Sequence, residues 1–372
     1  MHIQNYLPYV VDVRSTKDAQ GYPFASLMLK ATYTLPTAGN MPAVAQEQVP
    51  WFYSDVPVNA TGAAACDHEV DMPDEKPFPE FLVAGSAHAP YGRPCERFAF
   101  GVAVGDTEKR LLAVGARTWQ RGVLTGEASP IEPLLSVPAS YAYGFGGMDP
   151  TSREDDPQWC PANFAGSGYS ANPSSGKTDG MRLPQLEPLW RRCNRPGTRF
   201  PSLGLGPLGR AWVPRRNWAG TYDQQWQDTR WPDLPLDFDA RYLQSAAQDQ
   251  WLTSELSRLP VVLTNMTPAH GPHGSEVHFE LPVLEYFATV IPRRGDRTRV
   301  QLRADTLVLE PDAQRFSVIA RKQVPLNEGL HEIREVEFGD RRAPEARPTH
   351  VVIALEDFTR QLRQPRPGST KR

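Results

Sequence analysis

The sequence predicts a mainly β protein with little helix, built from β-meanders in a sandwich-like arrangement of sheets. Proline accounts for 37 of 372 residues, about twice its usual share of roughly 5%, which disfavours long helices. Several runs alternate apolar and polar residues, the period of a β-strand. A long stretch rich in Gly, Pro and Trp, residues 139–238, is predicted to be ordered but irregular.

The first strand is predicted at residues 24–35, FASLMLKATYTL. Leu27 and Leu29 alternate with polar residues such as Lys30, which predicts a half-buried strand with one solvent-facing side. The following residues, 36–80, are turn-rich and acidic towards their end, and they predict a solvated loop.

A β-meander is predicted next, with strands at 80–90, 97–105 and 109–119. The last two strands are separated by a short loop containing Gly105 and Asp106, which is typical of a hairpin. Residues 129–138 predict a short edge-like piece that leads into the irregular region.

The irregular region holds most of the tryptophan of the chain. Between residues 141 and 238 lie six of the nine tryptophans, with 12 of the 28 glycines and 12 of the 37 prolines. Gly and Pro weaken regular elements, whereas disordered segments are poor in aromatic residues. A long, ordered, aromatic-rich loop system is usually functional.

The remaining chain predicts one short helical segment and a second meander. The helical segment covers about 239–258, and further strands are predicted at 260–268, 275–282 and 351–358, with a meander between the last two. We predict a domain at 1–285, a C-terminal meander at 286–358 packed on it, and a basic, loose tail at 359–372.

Three stretches match known functional motifs, but the residues around each match do not fit the function of the motif. GLGPLG at 204–209 has prolines where the dinucleotide fingerprint needs a strand and a helix. The P-loop-like ANPSSGKT at 171–178 lacks its first glycine and a following helix. His270, His273 and His278 have no Cys or carboxylate partner suggested and predict a loop rather than a metal site. No G-x-S-x-G elbow, H-E-x-x-H or comparable nucleophile motif occurs, whereas paired carboxylates for glycoside cleavage have no fixed sequence spacing and stay open. We predict no catalytic residue, no cofactor and no metal, and no enzyme.

Blocks of opposite charge follow each other in the irregular region. Residues 189–222 contain seven arginines and no acid, and five aspartates lie at 223–239. We expect Arg–Asp pairing between the blocks to hold the region in place. Arginine beside aromatic residues is typical of single-strand nucleic-acid sites and equally of protein interfaces. The net charge of −3 disfavours nucleic acid and membrane surfaces as partners.

The compartment is predicted from what the sequence lacks. No signal peptide is visible, and no apolar run approaches the length of a membrane span. The four cysteines are widely spaced, which predicts free thiols. These features together predict a cytoplasmic protein.

The most specific sequence features resemble a known family. They include YGFGGMD (143–149), GLGPLGRAWVPRRNWAGTYDQQW (204–226) and LPLDFDARYLQSAAQDQ (234–250). They resemble a bacterial family of domains of unknown function whose members act as effector adaptors, or chaperones, in type VI secretion. The resemblance covers about residues 20–285. One departure is NPSSGK followed by Thr178, where the family more often has Gly-Lys-Gly.

The resemblance implies a cytoplasmic adaptor that binds a toxic effector and helps to load it onto the spike protein of the secretion apparatus. It brings no catalytic residues. Aromatic and Arg side chains dominate interface energetics, so the candidate partner-binding residues are Trp212, Arg215, Arg216, Trp218, Tyr222 and Trp226. Each of these side chains could instead be buried in the loop scaffold.

Two other classes stay open at this stage. Trp-rich loops on a β scaffold are also suited to stacking sugars, so the alternative is a carbohydrate-binding or carbohydrate-active protein. Such an enzyme would need an exposed Trp-lined cleft with two carboxylates roughly 5–10 Å apart. The second alternative is a structural component of the secretion machinery.

Overall fold

A computed structural model describes residues 1–36, 41–58, 65–121, 126–172, 178–194, 197, 200–268 and 275–340. The predicted strand at 351–358 and the tail at 359–372 lie outside the described residues. Within the described part the protein is mainly β, with several sheets, one of them nearly closed like a barrel. The predicted fold class is therefore confirmed.

The strands and α-helices of the described part fall into three groups along the chain. The strands before the irregular region are β1 (His2–Asn5), β2 (Val10–Lys17), β3 (Pro23–Thr34), β4 (Val56–Pro57), β5 (Cys66–His68), β6 (Glu80–Val83), β7 (Ser86–His88), β8 (Arg97–Val104), β9 (Thr107–Val114), β10 (Trp119–Gln120), β11 (Glu127–Ala128) and β12 (Ser136–Pro138). The irregular region adds β13 (Phe145–Gly146), β14 (Ser167–Gly168), β15 (Leu186–Glu187) and two short helices, α1 (Val213–Arg216) and α2 (Gln224–Thr229). The later strands are β16 (Pro260–Thr264), β17 (Glu276–Glu280), β18 (Tyr286–Pro292), β19 (Thr298–Glu310), β20 (Arg315–Pro325) and β21 (Ile333–Phe338).

Two sheets form the body of the protein. The first has the order β1-β21-β18-β19-β20-β3-β2, with β6 added in parallel to β19, and the second has the order β15-β9-β8-β16-β17. Strands from both halves of the chain thus share the first sheet. The predicted domain boundary near residue 285 stays a prediction.

One hydrophobic core joins the inner faces of the two sheets. Leu27 and Leu29 of β3, Phe100 of β8 and Phe316 of β20 all belong to it. The rings of Phe279 in β17 and Phe316 stack with their centroids 5.3 Å apart. This face-to-face packing agrees with the sandwich-like arrangement that the alternating runs predict.

Strand β3 is confirmed, but its half-buried character is wrong. Lys30 and Thr32, on the side predicted to face solvent, are buried as deeply as Leu27 and Leu29 on the other. Val49, Pro50 and Asp71 lie on this side and supply the polar partners that burial requires. The predicted solvated loop is wrong at Glu69 and Asp71, which are themselves buried.

The predicted meander is correct for β8 and β9 and wrong for the segment before them. The hairpin turns at Gly105, whose φ of +56° suits glycine, and Val104 pairs with Thr107. Residues 80–90, in contrast, do not form one strand. They divide into β6, which joins the first sheet, and β7, which pairs with β12.

The segment predicted as helical, about 239–258, contains two 3-10 helices, Ala240–Leu243 and Gln248–Gln250. Both α-helices of the described part lie instead inside the irregular region. They are too short to be seen by apolar periodicity.

Candidate functional site

A buried ionic network fixes the irregular region to the first sheet. We use this name for eight side chains that form four ion pairs: Lys30–Asp71, Arg215–Glu69, Lys76–Glu80 and Arg321–Asp305. All eight are buried. Burial lowers the pKa of Lys30, and the neighbouring Asp71 carboxylate opposes that effect. Buried ion pairs hold their segments in one arrangement, because a segment that moved away would leave the charge of its partner buried and unpaired.

Glu80 ties residues 244–246 to the sheet. Its carboxylate accepts a hydrogen bond from Lys76 Nζ and one from Gln244 Nε2 at 2.7 Å. It also accepts the backbone N–H groups of Ser245 at 3.1 Å and Ala246 at 3.0 Å. Four donors converge on one carboxylate, so this part of the chain has a single well-defined path over β6.

Arg215 ties α1 to the same network. Its Nη1 lies 2.9 Å from the Glu69 carboxylate and also donates to Leu208 O at 2.9 Å. Its Nε donates to Tyr242 O at 2.9 Å. The guanidinium therefore joins Glu69, Leu208 and Tyr242, which belong to three different segments of the chain, and these contacts hold it inside the protein.

The space beside the network is too small for an organic ligand. A cleft lined by Lys30, Asp71, Glu310 and Arg321, among others, has a volume of about 30 Å³, which is room for about one or two water molecules. The network is consequently a structural element rather than a binding pocket.

Trp212 is also part of the interior. Only 1% of its surface is exposed. Its ring meets Tyr141 edge-on at 5.6 Å and packs in one cluster with Ala65 and Leu208. The side chain supports α1, which begins at the next residue.

The chain after α1 turns outward and presents aromatic side chains. Asp223 caps α2, since its carboxylate accepts the backbone N–H of Trp226 at 2.8 Å. The rings of Tyr222 and Trp226 lie 4.7 Å apart, and the Trp226 indole N–H donates to Asp233 O at 2.9 Å. These contacts fix the positions of α2 and of the loop after it.

The tip of the β2–β3 hairpin meets this loop. Lys17 Nζ lies 3.2 Å from an Asp233 carboxylate oxygen, and the Arg230 guanidinium donates to Ala19 O. Gly21, with φ +90°, lets the two segments approach closely, because a Cβ there would lie 3.0 Å from Asp233 Oδ2. The loop and the hairpin tip therefore form one surface.

We call this the aromatic surface and define it as Tyr22, Tyr222, Trp226, Trp231 and Leu236. Trp226 is partly buried, and the others are exposed by 66% (Tyr22), 53% (Tyr222), 68% (Trp231) and 70% (Leu236). Burial, with Tyr242 and Asp237 nearby, raises the pKa of Tyr222, so its hydroxyl stays protonated at neutral pH. Large apolar side chains that are exposed together mark interaction sites.

A groove runs beside the aromatic surface, between α1 and the two 3-10 helices. Its volume is about 300 Å³, and its walls include Arg215, Trp218, Arg241, Gln248 and Trp251. The Arg241 guanidinium lies 3.5 Å from the centre of the Trp218 ring. Trp251 stacks on Phe78 with ring centroids 5.3 Å apart. The residues that line the groove include no Asp or Glu.

The six predicted partner-binding residues differ in how far their side chains are buried. Trp212 and Arg215 are buried. Trp218 and Trp226 are partly buried, and Arg216 and Tyr222 are exposed. Sequence reasoning missed Tyr22, Trp231 and Leu236, and in the groove Arg241 and Trp251. Tyr22 lies 200 residues from Tyr222, and no local pattern could place the two together.

The predicted pairing between the Arg block and the Asp block is wrong for the described residues, which do not include Arg195 and Arg199. Among the described residues no ion pair joins them. Arg210 pairs with Asp55, and Arg215 with Glu69, both from the segment predicted as a solvated loop. Asp223 caps α2, and Asp237 accepts a hydrogen bond from the backbone N–H of Thr221. Asp233 pairs with Lys17, and Asp239 pairs with Arg241. The two arginines thus pair with acids that are distant in sequence, whereas Asp223 and Asp239 bond groups within three residues of themselves.

Neither a metal centre nor a membrane-spanning helix is found within the described residues. There, no group of three or more His, Cys, Asp or Glu side chains is placed to hold a metal ion. His270 and His273 lie outside this part, and His278 is an exposed residue of β17. Nor does any described helix combine the length and the apolar character that crossing a membrane requires.

The fold and the site define a mainly β protein with an ionically fixed interior and a preformed aromatic surface. The chain belongs to a bacterial family, DUF2169, described as an uncharacterized protein conserved in bacteria, whose model matches residues 20–321. No curated protein and no solved structure matches the chain.

Proposed function

We propose that this protein is a cytoplasmic adaptor or chaperone that binds a type VI secretion effector and helps to load it onto the spike protein. The observation that carries the proposal is the aromatic surface, held in place by contacts to the β2–β3 hairpin. The sequence resemblance to effector adaptors supplies the kind of partner. The proposal contains no catalytic step.

The aromatic surface suits protein binding for two physical reasons. Tyr and Trp supply large contact areas and are the residues most enriched among binding hot spots. Because Trp226 and Asp233 are already fixed by hydrogen bonds and an ion pair, little conformational entropy is lost when a partner binds.

Co-purification tests the proposal directly. The tagged full chain is co-expressed with the effector encoded by the neighbouring gene and, separately, with the spike protein. We expect both to be retained, and the double substitution Tyr222→Ala/Trp231→Ala to reduce retention at least about tenfold. If the wild-type protein retains neither partner, the proposal fails.

A matched control uses exposed tryptophans outside the aromatic surface. Trp159 and Trp190 are also exposed, so Trp159→Ala/Trp190→Ala removes apolar surface of the same kind. Retention by this control should equal that of the wild type. Equal losses in both double variants would show non-specific adhesion instead of a defined surface.

Mass spectrometry of the secreted fraction distinguishes an adaptor from a structural component of the secretion machinery. An adaptor should be absent from the secreted particle while its effector is present. Stoichiometric amounts of this protein in the particle would favour the structural role.

The groove favours carbohydrate binding as a second candidate function. Trp218 and Trp251 line it together with the polar side chains of Arg241 and Gln248. Because no carboxylate lines the groove, its chemistry suits binding rather than glycoside cleavage. Binding on a glycan array that Trp251→Ala abolishes would support this candidate, and an array without binding would exclude it.

A further inference from the structure

The aromatic surface is bordered by carboxylates that bond only neutral groups. Asp223 accepts the Trp226 N–H at 2.8 Å, and Asp228 accepts Gln224 Nε2 at 2.8 Å. Asp237 accepts the backbone N–H of Thr221 at 3.0 Å and its hydroxyl at 2.7 Å. All three aspartates are exposed, and none forms an ion pair with a described residue.

The cations of the same surface are already bound. Lys17 pairs with Asp233 at 3.2 Å. Arg230 donates to the backbone carbonyls of Ala19 and Leu234. The partners of Arg230 are uncharged, so its positive charge still counts. The segment 221–237, which supplies four of the five residues of the aromatic surface, contains four aspartates and one arginine. With the paired Lys17 included, the net charge is −2, a surplus of negative charge.

We propose that the aromatic surface binds a partner segment in which apolar side chains are flanked by arginine or lysine. This inference rests on the proposed function and specifies the chemistry of its partner. The apolar side chains cover Tyr22 and Trp231, and the basic ones meet the carboxylates of Asp223, Asp228 and Asp237. Arginine adds cation–π contact with exposed Trp and Tyr rings.

The charge also decides which partners are rejected. An acidic apolar segment would fit the aromatic rings equally well, but its carboxylates would lie against three unpaired aspartates. Juxtaposed like charges are costly in an interface. The surface thereby discriminates between basic and acidic segments of similar hydrophobicity.

The test uses the full chain and two labelled 12-residue peptides that contain equal numbers of leucines. One peptide has arginine, and the other glutamate, at its charged positions. Fluorescence anisotropy at low salt should show the arginine peptide binding at least about tenfold more tightly, with a smaller difference at 0.5 M NaCl. Equal binding of the two peptides, or tighter binding of the glutamate peptide, would overturn the inference.

Charge variants locate the effect. Asp223→Asn/Asp228→Asn/Asp237→Asn keeps each acceptor oxygen, so the capping bond remains while three charges are removed. Affinity for the arginine peptide should fall about tenfold. The control Asp106→Asn/Asp155→Asn/Asp156→Asn removes three exposed charges elsewhere and should change it less than about twofold. Equal losses in both triple variants would show attraction by net charge alone and contradict the inference.

The peptide result and the co-purification result are separable. If neither effector nor spike is retained, the proposed function fails, whatever the peptides show. If both are retained and the Asp223/Asp228/Asp237 variant retains them as well as the wild type at low salt, the proposed function stands and this inference fails.

Discussion

Two neighbouring parts of the irregular region use the same residue types in opposite ways. In residues 212–216 a tryptophan and an arginine point inward, where Trp212 packs on Tyr141 and Arg215 pairs with Glu69. In residues 222–236 the aromatic side chains point outward. Composition does not separate the two parts. Residues 212–216 form part of the scaffold because Arg215 finds the buried acid Glu69 and Trp212 packs on the ring of Tyr141.

The difference assigns a physical role to each part. The ionic network supplies stability only while it is complete, since a buried charge without its partner is costly. The aromatic surface supplies little stability and leaves apolar area free for a partner. Substitutions of the inward-pointing side chains and of the ionic network should therefore destabilise the protein, and substitutions in the aromatic surface should only weaken binding.

The largest effect is expected from Glu80→Ala. This change leaves Lys76 buried without its partner and removes an acceptor from Gln244, Ser245 and Ala246. We expect the free energy of unfolding to fall by about 5 kcal/mol, measured by urea denaturation. Glu108→Ala, at an exposed ion pair, should change it by less than about 0.5 kcal/mol. A small loss for Glu80→Ala would mean that the network does not hold the fold.

Adjacent arginines give the next comparison. Arg215→Ala removes the nearest cation from the buried Glu69 carboxylate, which keeps only Arg210 at 3.6 Å, and should destabilise the protein by about 3 kcal/mol. Arg216→Ala alters an exposed side chain and should stay within about 0.5 kcal/mol of the wild type. Thermal unfolding of the two variants measures both effects. Equal melting temperatures of the two variants would contradict the assignment of Arg215 to the interior and Arg216 to the surface.

A pair of tryptophans extends the comparison to apolar side chains. Trp212→Ala should cost about 3 kcal/mol, the lower end for a buried tryptophan, because a groove of about 340 Å³ beside it lets the site relax. Trp231→Ala should leave stability within about 0.5 kcal/mol and reduce partner retention. The reverse pattern in urea denaturation would show that Trp231 is a structural residue.

The smallest effect is a pH dependence at the aromatic surface. Hydrogen bonds from the backbone N–H and hydroxyl of Thr221 hold the pKa of Asp237 below its usual value of 3.8. The unfolded chain then binds the proton at higher pH than the folded chain, so falling pH favours unfolding. The stabilisation from Asp237 is present above about pH 4 and is lost below it.

This linkage is measured with Asp237→Asn. The variant should be slightly less stable than the wild type in urea denaturation at pH 7, and the difference should shrink at pH 3. A difference that is constant across this range would contradict the linkage. Since the carboxylate stays charged at pH 5, binding of the arginine peptide should not change between pH 8 and pH 5.

The sequence predicts the strands better than the site. Local alternation is enough to find β3, the β8–β9 hairpin and much of the second meander. It could not show that the polar side of β3 is buried, because Lys30 finds its carboxylate 41 residues away in Asp71. The division of Trp212–Trp226 into interior and surface depends on Glu69 and Tyr141, and the contribution of Tyr22 depends on the fold of the β2–β3 hairpin. Such long-range partners leave no local pattern.

Hydrogen–deuterium exchange on the complex with the effector or spike tests the central claim most directly. We predict that binding slows exchange in residues 18–22 and 221–237, and leaves residues 208–216 and 244–246 as slow as in the free protein. Protection confined to other parts of the chain, with 221–237 unchanged, would contradict the assignment of the aromatic surface as the partner-binding site.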